Sequence, residues 1–83
     1  MSVEMVMPFL SETMEEGTIS KWLKQPGDSV AIGEEFVEIE ADKATVAYES
    51  DTAGVLIEIL VPEGKTVPTG YVIARIGSPD ELR

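Results

Sequence analysis

The sequence predicts an all-β fold, a sandwich or barrel made of two similar units packed face to face around a shared core. Three observations predict it. Strand signals are short, closely spaced and separated by turn chemistry. No window of 11 or more residues carries a convincing helical period. The chain also repeats itself at an offset of 37 positions: Gly17 falls on Gly54, Ile19 on Leu56, Trp22 on Ile59, Leu23 on Leu60, Gly27 on Gly64, Val30 on Val67, Gly33 on Gly70 and Ile39 on Ile76. In this pattern the glycines mark turns, where a positive φ or a close backbone approach is needed. The apolar matches mark inward faces, so Trp22, Leu23 and Ile39 are assigned to the core.

The elements follow in order. The first strand is expected over Val3–Met7. A long loop from Pro8 to Glu16 comes next, with no counterpart of that length in the second half, and it carries exposed-looking Phe9, Leu10 and Met14 among acids. Strands over Gly17–Leu23, Ser29–Ile32 and Glu35–Glu40 are separated by Gln25-Pro26-Gly27-Asp28 and by Gly33-Glu34. Val37 and Ile39 alternate with Glu38 and Glu40; in the following strand, Val46–Ser50, Val46 and Tyr48 alternate with Ala47 and Glu49. Two alternating runs joined by a short polar stretch read as a β-hairpin, with Lys43 at or near its turn. The turn Asp51-Thr52-Ala53-Gly54 leads to Val55–Leu60, Pro62-Glu63-Gly64-Lys65 to Thr66–Val67, and Pro68-Thr69-Gly70 to Val72–Ile76. Gly54 is read as serving its turn. Residues 1–77 form one domain, and residues 78–83 have the composition of a linker.

Composition narrows the chemistry. A domain of 83 residues buries only about 60–65% of its unfolded surface, so its core is small. There is no cysteine and no histidine, which removes thiol chemistry, the usual general base and the commonest metal ligand. No catalytic residue and no metal site are expected, and any reactive group must be brought from outside the chain. A formal net charge of −10 disfavours nucleic acid and anionic membrane surfaces as partners. It favours docking to electropositive protein surfaces. No apolar run approaches the roughly 20 residues of a membrane span. The first residues show neither a signal peptide nor an Arg-rich transit peptide, so the expected location is cytoplasmic, or the mitochondrial matrix where a transit peptide has been removed.

Lys43 carries the functional signal. A solvated turn lysine is the bland reading. A Schiff-base lysine needs a depressed pKa, yet Glu40 and Asp42 are acidic and an apex is wet; both keep the amine protonated. Lys43 is therefore a poor nucleophile by itself. An amine held at a hairpin apex, flanked by small Ala41 and Ala44, suits attachment of a group by another enzyme.

Asp42-Lys43-Ala44 within Glu38-Ile39-Glu40-Ala41-Asp42-Lys43-Ala44-Thr45 resembles the lipoyl-attachment motif of the acyltransferase (E2) components of 2-oxo acid dehydrogenase complexes. Met7-Pro8, Met14-Glu15-Glu16-Gly17-Thr18-Ile19, Trp22-Leu23, Pro26-Gly27-Asp28 and Gly54-Val55-Leu56 are similar to the same family, from residue 3 to about 77. The resemblance implies a flattened barrel or sandwich of two four-stranded antiparallel sheets with quasi-twofold symmetry and the lysine on an exposed hairpin. It implies lipoate as an amide on Lys43. Asp42 and Ala44 match the usual flanks, and Glu40 and Gly54 match positions that lipoylating enzymes recognise. The loop residues Phe9, Leu10, Ser11, Glu12, Thr13, Met14 and Glu15 match a surface loop read by the decarboxylase component (E1). Ala41 departs from the pattern, where Thr or Ser is frequent.

The implied activity is that of a monomeric carrier domain, itself no enzyme, within a dihydrolipoyl acyltransferase. Its partners would be E1, the flavoenzyme E3, the E2 core, and a lipoate ligase or lipoyl transferase. A biotinyl carrier domain is the alternative, but its lysine is typically flanked by methionines, and the four methionines here lie at 1, 5, 7 and 14. The glycine-cleavage carrier protein is longer and has helices. An unmodified adaptor using the Pro8–Glu16 loop is the reading from another class.

Overall fold

The computed structural model describes residues 2–10, 14–41 and 44–81. Its elements are β1 (Val3–Val6), β2 (Glu16–Trp22), β3 (Ser29–Val30), β4 (Glu35–Ala41), β5 (Ala44–Glu49), β6 (Gly54–Ile59), β7 (Thr66–Pro68) and β8 (Val72–Gly77), with a 3-10 turn at Pro79–Glu81. All eight expected strands are present, with ends shifted by one or two residues. The strands form two four-stranded antiparallel sheets, β1-β8-β6-β3 and β5-β4-β2-β7. Neither sheet closes on itself, so the architecture is a sandwich. Between the sheets lie Met5, Met7, Met14, Ile19, Trp22, Val30, Phe36, Val37, Ile39, Leu56, Val61, Ile73, Ala74 and Ile76.

The 37-residue repeat is a repeat of hydrogen bonds as well as of residue types. Gly27 N–H donates to Leu56 O at 2.8 Å, and Gly64 N–H donates to Ile19 O at 2.7 Å. Leu56 N–H donates to Asp28 O, and Ile19 N–H to Lys65 O, both at 2.9 Å. Gly33 N–H reaches Ser50 O at 2.7 Å, and Gly70 N–H reaches Met7 O at 2.9 Å. Both members of the first glycine pair hold positive φ, 100° at Gly27 and 88° at Gly64, a region that a side chain at these turns would make costly. Register shifts recur in step as well, between Ile19 and Lys21 in β2 and between Leu56 and Glu58 in β6.

The two halves are nevertheless not face-to-face units. β1 and β3 lie in the sheet of β6 and β8, while β5 and β7 lie in the sheet of β2 and β4. Each half thus gives alternate strands to each sheet, and neither sheet exists without both halves. The repeat shows that one unit occurs twice; it does not show which sheet each strand joins.

Two other expectations change. Leu23 is half-buried and Leu60 is 45% exposed, so this apolar pair does not face the core. Both follow the last residue of a strand, where the chain turns off the sheet and the in-out alternation lapses. Gly54 does not serve a turn: it opens β6 opposite Val30, without a positive φ. A β-carbon there would stand 2.7 Å from the Gly77 carbonyl oxygen, so close packing of β6 on β8 is what requires glycine. The tail also does more than leave the domain. The Ser78 backbone N–H donates to Glu81 Oε2 at 2.7 Å and caps the 3-10 turn. That bond is the largest cause holding the Glu81 carboxyl below the usual carboxylate range.

Candidate functional site

The β4–β5 hairpin is the longest paired unit of its sheet. Its register runs from Glu35↔Glu49 through Ile39↔Val46 and Glu40↔Thr45 to Ala41↔Ala44. Alternation explains it. Val37 and Ile39 are fully buried, while Glu38 and Glu40 turn outward. Phe36 and Tyr48 anchor its base, with ring centroids 5.0 Å apart, and Trp22 continues the aromatic chain at 6.2 Å from Phe36. Burial pushes the Tyr48 hydroxyl above the ordinary tyrosine pKa, and the Asp51 charge adds to the shift.

Ala41 is buried, but beyond it Ala44, Thr45 and Val46 are all exposed. Pairing at Ala41↔Ala44 leaves Asp42 and Lys43 as the two residues between the paired ends. Asp42 and Lys43 themselves lie outside the described residues. Glu40 is exposed, one strand position from that end, and pairs with Thr18 on one side and Thr45 on the other.

Met14, near the end of the Pro8–Glu16 segment, packs beside this hairpin. Met14 is buried, and its methyl carbon lies 2.8 Å from where a β-carbon on Gly17 would stand. Ile39 Cγ2 approaches the same point at 3.1 Å and Met7 Sδ at 2.7 Å. Met14 and β4 therefore meet over the bare backbone of Gly17. Phe9 is 64% exposed, as expected, and Glu15 is exposed while its carbonyl accepts the Thr69 N–H at 3.1 Å. Leu10 is half-buried against the core.

Met14 corrects the expectation of a recognition contact. Its long apolar side chain gains more by filling the space over Gly17 than by facing water. It presents almost no surface, being 2% exposed. Ser11, Glu12 and Thr13 lie outside the described residues. Gly54 is likewise not brought to the hairpin: it belongs to the other sheet, crowded by Ile76 and Gly77, the counterparts of Ile39 and Glu40 under the two-fold relation. Sequence reasoning missed Gly17 as the residue joining loop and hairpin. Its repeat partnership with Gly54 was the available signal.

A small β-sandwich that carries a lysine between the paired ends of a two-stranded hairpin is the architecture of a carrier domain for a covalently attached group. The family model described as "Biotin-requiring enzyme" matches residues 3–76, and the chain belongs to that family. Its similarities lie with the lipoyl branch. It is 48% identical over 82 residues to the dihydrolipoyllysine-residue acetyltransferase component of the pyruvate dehydrogenase complex of Zymomonas mobilis, covering 98% of this chain and 19% of that one. It is 53% identical over 74 residues to the dihydrolipoyllysine-residue succinyltransferase component of the 2-oxoglutarate dehydrogenase complex of Staphylococcus saprophyticus, covering 89% of this chain and 18% of that one. The solution structure of the lipoyl domain of the 2-oxoglutarate dehydrogenase complex from Azotobacter vinelandii superposes with a TM-score of 0.70 at 32% identity, covering 92% of this chain and 94% of that one. The chain thus spans about a fifth of the length of the curated relatives and nearly all of the solved lipoyl domain.

Proposed function

We propose that the chain is the swinging-arm domain of the E2 component of a 2-oxo acid dehydrogenase complex, with lipoate in amide linkage to Lys43. The observation that carries this reading is the hairpin register. Pairing continues to Ala41↔Ala44 and leaves only Asp42 and Lys43 between the strands. The residues present fit such a group: Ala44 and Thr45 are exposed and small, so nothing described on β5 at this end obstructs a long substituent.

Lipoate supplies a dithiolane that can accept electrons and an acyl group. The chain supplies everything else. Its buried β4 holds the attachment point on a rigid strand, and its exposed Glu40 and Ala44 offer contacts to a lipoate ligase or lipoyl transferase. Phe9 and Glu15 present a surface beside the arm for E1. The net charge of −10 assists encounter with cationic active-site mouths on E1, E3 and the E2 core. The domain performs no bond-making itself; the parent chain is a dihydrolipoyl acyltransferase. Relatives of both acetyl- and succinyltransferase type support acyl transfer to coenzyme A without selecting one 2-oxo acid.

Coexpression with a lipoate ligase followed by mass spectrometry tests the assignment. A lipoyl increment on Lys43 that disappears in Lys43→Arg is the expected result. A biotin increment with biotin ligase, or no increment with either enzyme, would replace it with one of the rival readings.

A further inference from the structure

The two-fold relation turns the molecule into its own control. Each half contains a loop that leads from an outer strand into β2 or β6. In the second half this loop is short, and a buried hydroxyl closes it. Ser50 Oγ donates to Thr52 O at 2.6 Å and accepts the Thr52 N–H at 3.2 Å. By strand pairing, and because Gly33 N–H bonds the Ser50 carbonyl as Gly70 N–H bonds that of Met7, the position equivalent to Ser50 in the first half is Met7, which has no hydroxyl, and the loop that follows it is longer. A different buried acceptor does the closing: the Leu10 backbone N–H donates to Met14 Sδ at 3.3 Å. Met14 is held in turn by Gly17, whose missing β-carbon leaves room for its methyl group.

We infer that Met14 is a positioning residue for docking of the decarboxylase component. Its sulfur fixes the Leu10 amide, and thereby sets Phe9, the next residue back, in its 64% exposed position. Met14 itself is only 2% exposed, so it acts through Phe9. This inference rests on the reading of the Pro8–Glu16 loop as the E1-facing surface.

A thioether is a weak acceptor, so a purely apolar account of Met14 is the competing explanation. The two differ in what leucine does at this position. Leucine keeps the volume and the apolar character and loses only the acceptor.

The experiment uses the lipoylated 83-residue chain and E1, with pyruvate and 2-oxoglutarate as substrates in separate arms. Phe9→Ala, Met14→Leu and the double variant are compared by KM and kcat of reductive acylation, and by the rate of lipoylation. In Met14→Leu, KM for the domain should rise about threefold, the scale of one weak hydrogen bond, with kcat and lipoylation unchanged. In the Phe9→Ala background Met14→Leu should add nothing, because it acts through Phe9. Amide exchange gives a second readout independent of E1: the Leu10 N–H should be protected in the parent and exchange faster in Met14→Leu.

An unchanged KM in a folded Met14→Leu, or equal Leu10 exchange in both proteins, would overturn the positioning role alone. A Phe9→Ala variant acylated as well as the parent with both 2-oxo acids would remove the E1-docking reading and the inference with it. A chain that carries no lipoate in the first place would instead remove the carrier assignment.

Discussion

Gly17 and Gly54 are equivalent under the internal two-fold, and both lack room for a β-carbon, but different atoms occupy that room. At Gly17 the close neighbours are the ends of two flexible side chains, Met7 Sδ at 2.7 Å and Met14 Cε at 2.8 Å. At Gly54 the nearest atom is the Gly77 carbonyl oxygen, also at 2.7 Å. A thioether end can swing aside, whereas a carbonyl in a paired strand moves only with its sheet.

The same substitution should therefore cost different amounts at the two positions. Gly54→Ala is expected to destabilise the domain by about 2–3 kcal/mol, the upper range for overpacking, and Gly17→Ala by about 1 kcal/mol. Urea unfolding followed by Trp22 fluorescence reads both. Equal losses would mean that the crowding at Gly54 relaxes as easily as the methionines do.

Trp22 ties the two halves together. Its indole N–H donates to Val61 O at 2.9 Å, and its backbone N–H donates to Glu63 Oε2 at the same distance. Trp22→Phe keeps an aromatic ring in the core but leaves the Val61 carbonyl without that donor. A loss of about 1–3 kcal/mol is expected, measured by circular dichroism because the chain has no other tryptophan. A loss below about 0.5 kcal/mol would show that water takes over the carbonyl.

The strands were legible because their signals are local. Alternation from Val37 to Glu40 and the turn residues at Gln25–Asp28 and Pro62–Lys65 need no tertiary information. The exposure of Glu40 followed from the same alternation, and that of Phe9 from its place in an acidic loop. What the sequence hid depends on contacts across the fold. The burial of Met14 requires the vacancy at Gly17, and the need for glycine at position 54 requires the approach of Gly77. The exchange of β3 and β7 between sheets depends on how the two units interlock.

Glu40 combines exposure with a rigid backbone, since Thr18 and Thr45 pair on either side of it. Glu40→Gln should leave the unfolding midpoint unchanged and lower kcat/KM for lipoylation by about tenfold, the scale of one charge-assisted contact. Kinetics of lipoate transfer measured alongside thermal unfolding separate the two effects. An unaltered lipoylation rate would assign Glu40 to a solvated strand face and move enzyme recognition to other residues.

Tyr48 makes stability fall at alkaline pH. Its hydroxyl is raised above the ordinary value of 10.0, first by burial and second by the Asp51 charge. The folded state therefore holds this proton more tightly than the unfolded chain does. Below the unfolded pKa both states keep the proton and the contribution of Tyr48 is fully present. As pH rises through 10.0 towards the folded pKa, the unfolded chain ionises first and that contribution drains away. In a Tyr71→Phe variant, where Tyr48 is the only tyrosine, absorbance at the phenolate band should rise above pH 10.0, and unfolding in urea should become easier over the same window. Replacing Tyr48 by Phe should flatten that pH dependence. Ionisation of Tyr48 at or below 10.0 would mean that its ring, packed at a tilt against Phe36, still keeps its hydroxyl in water.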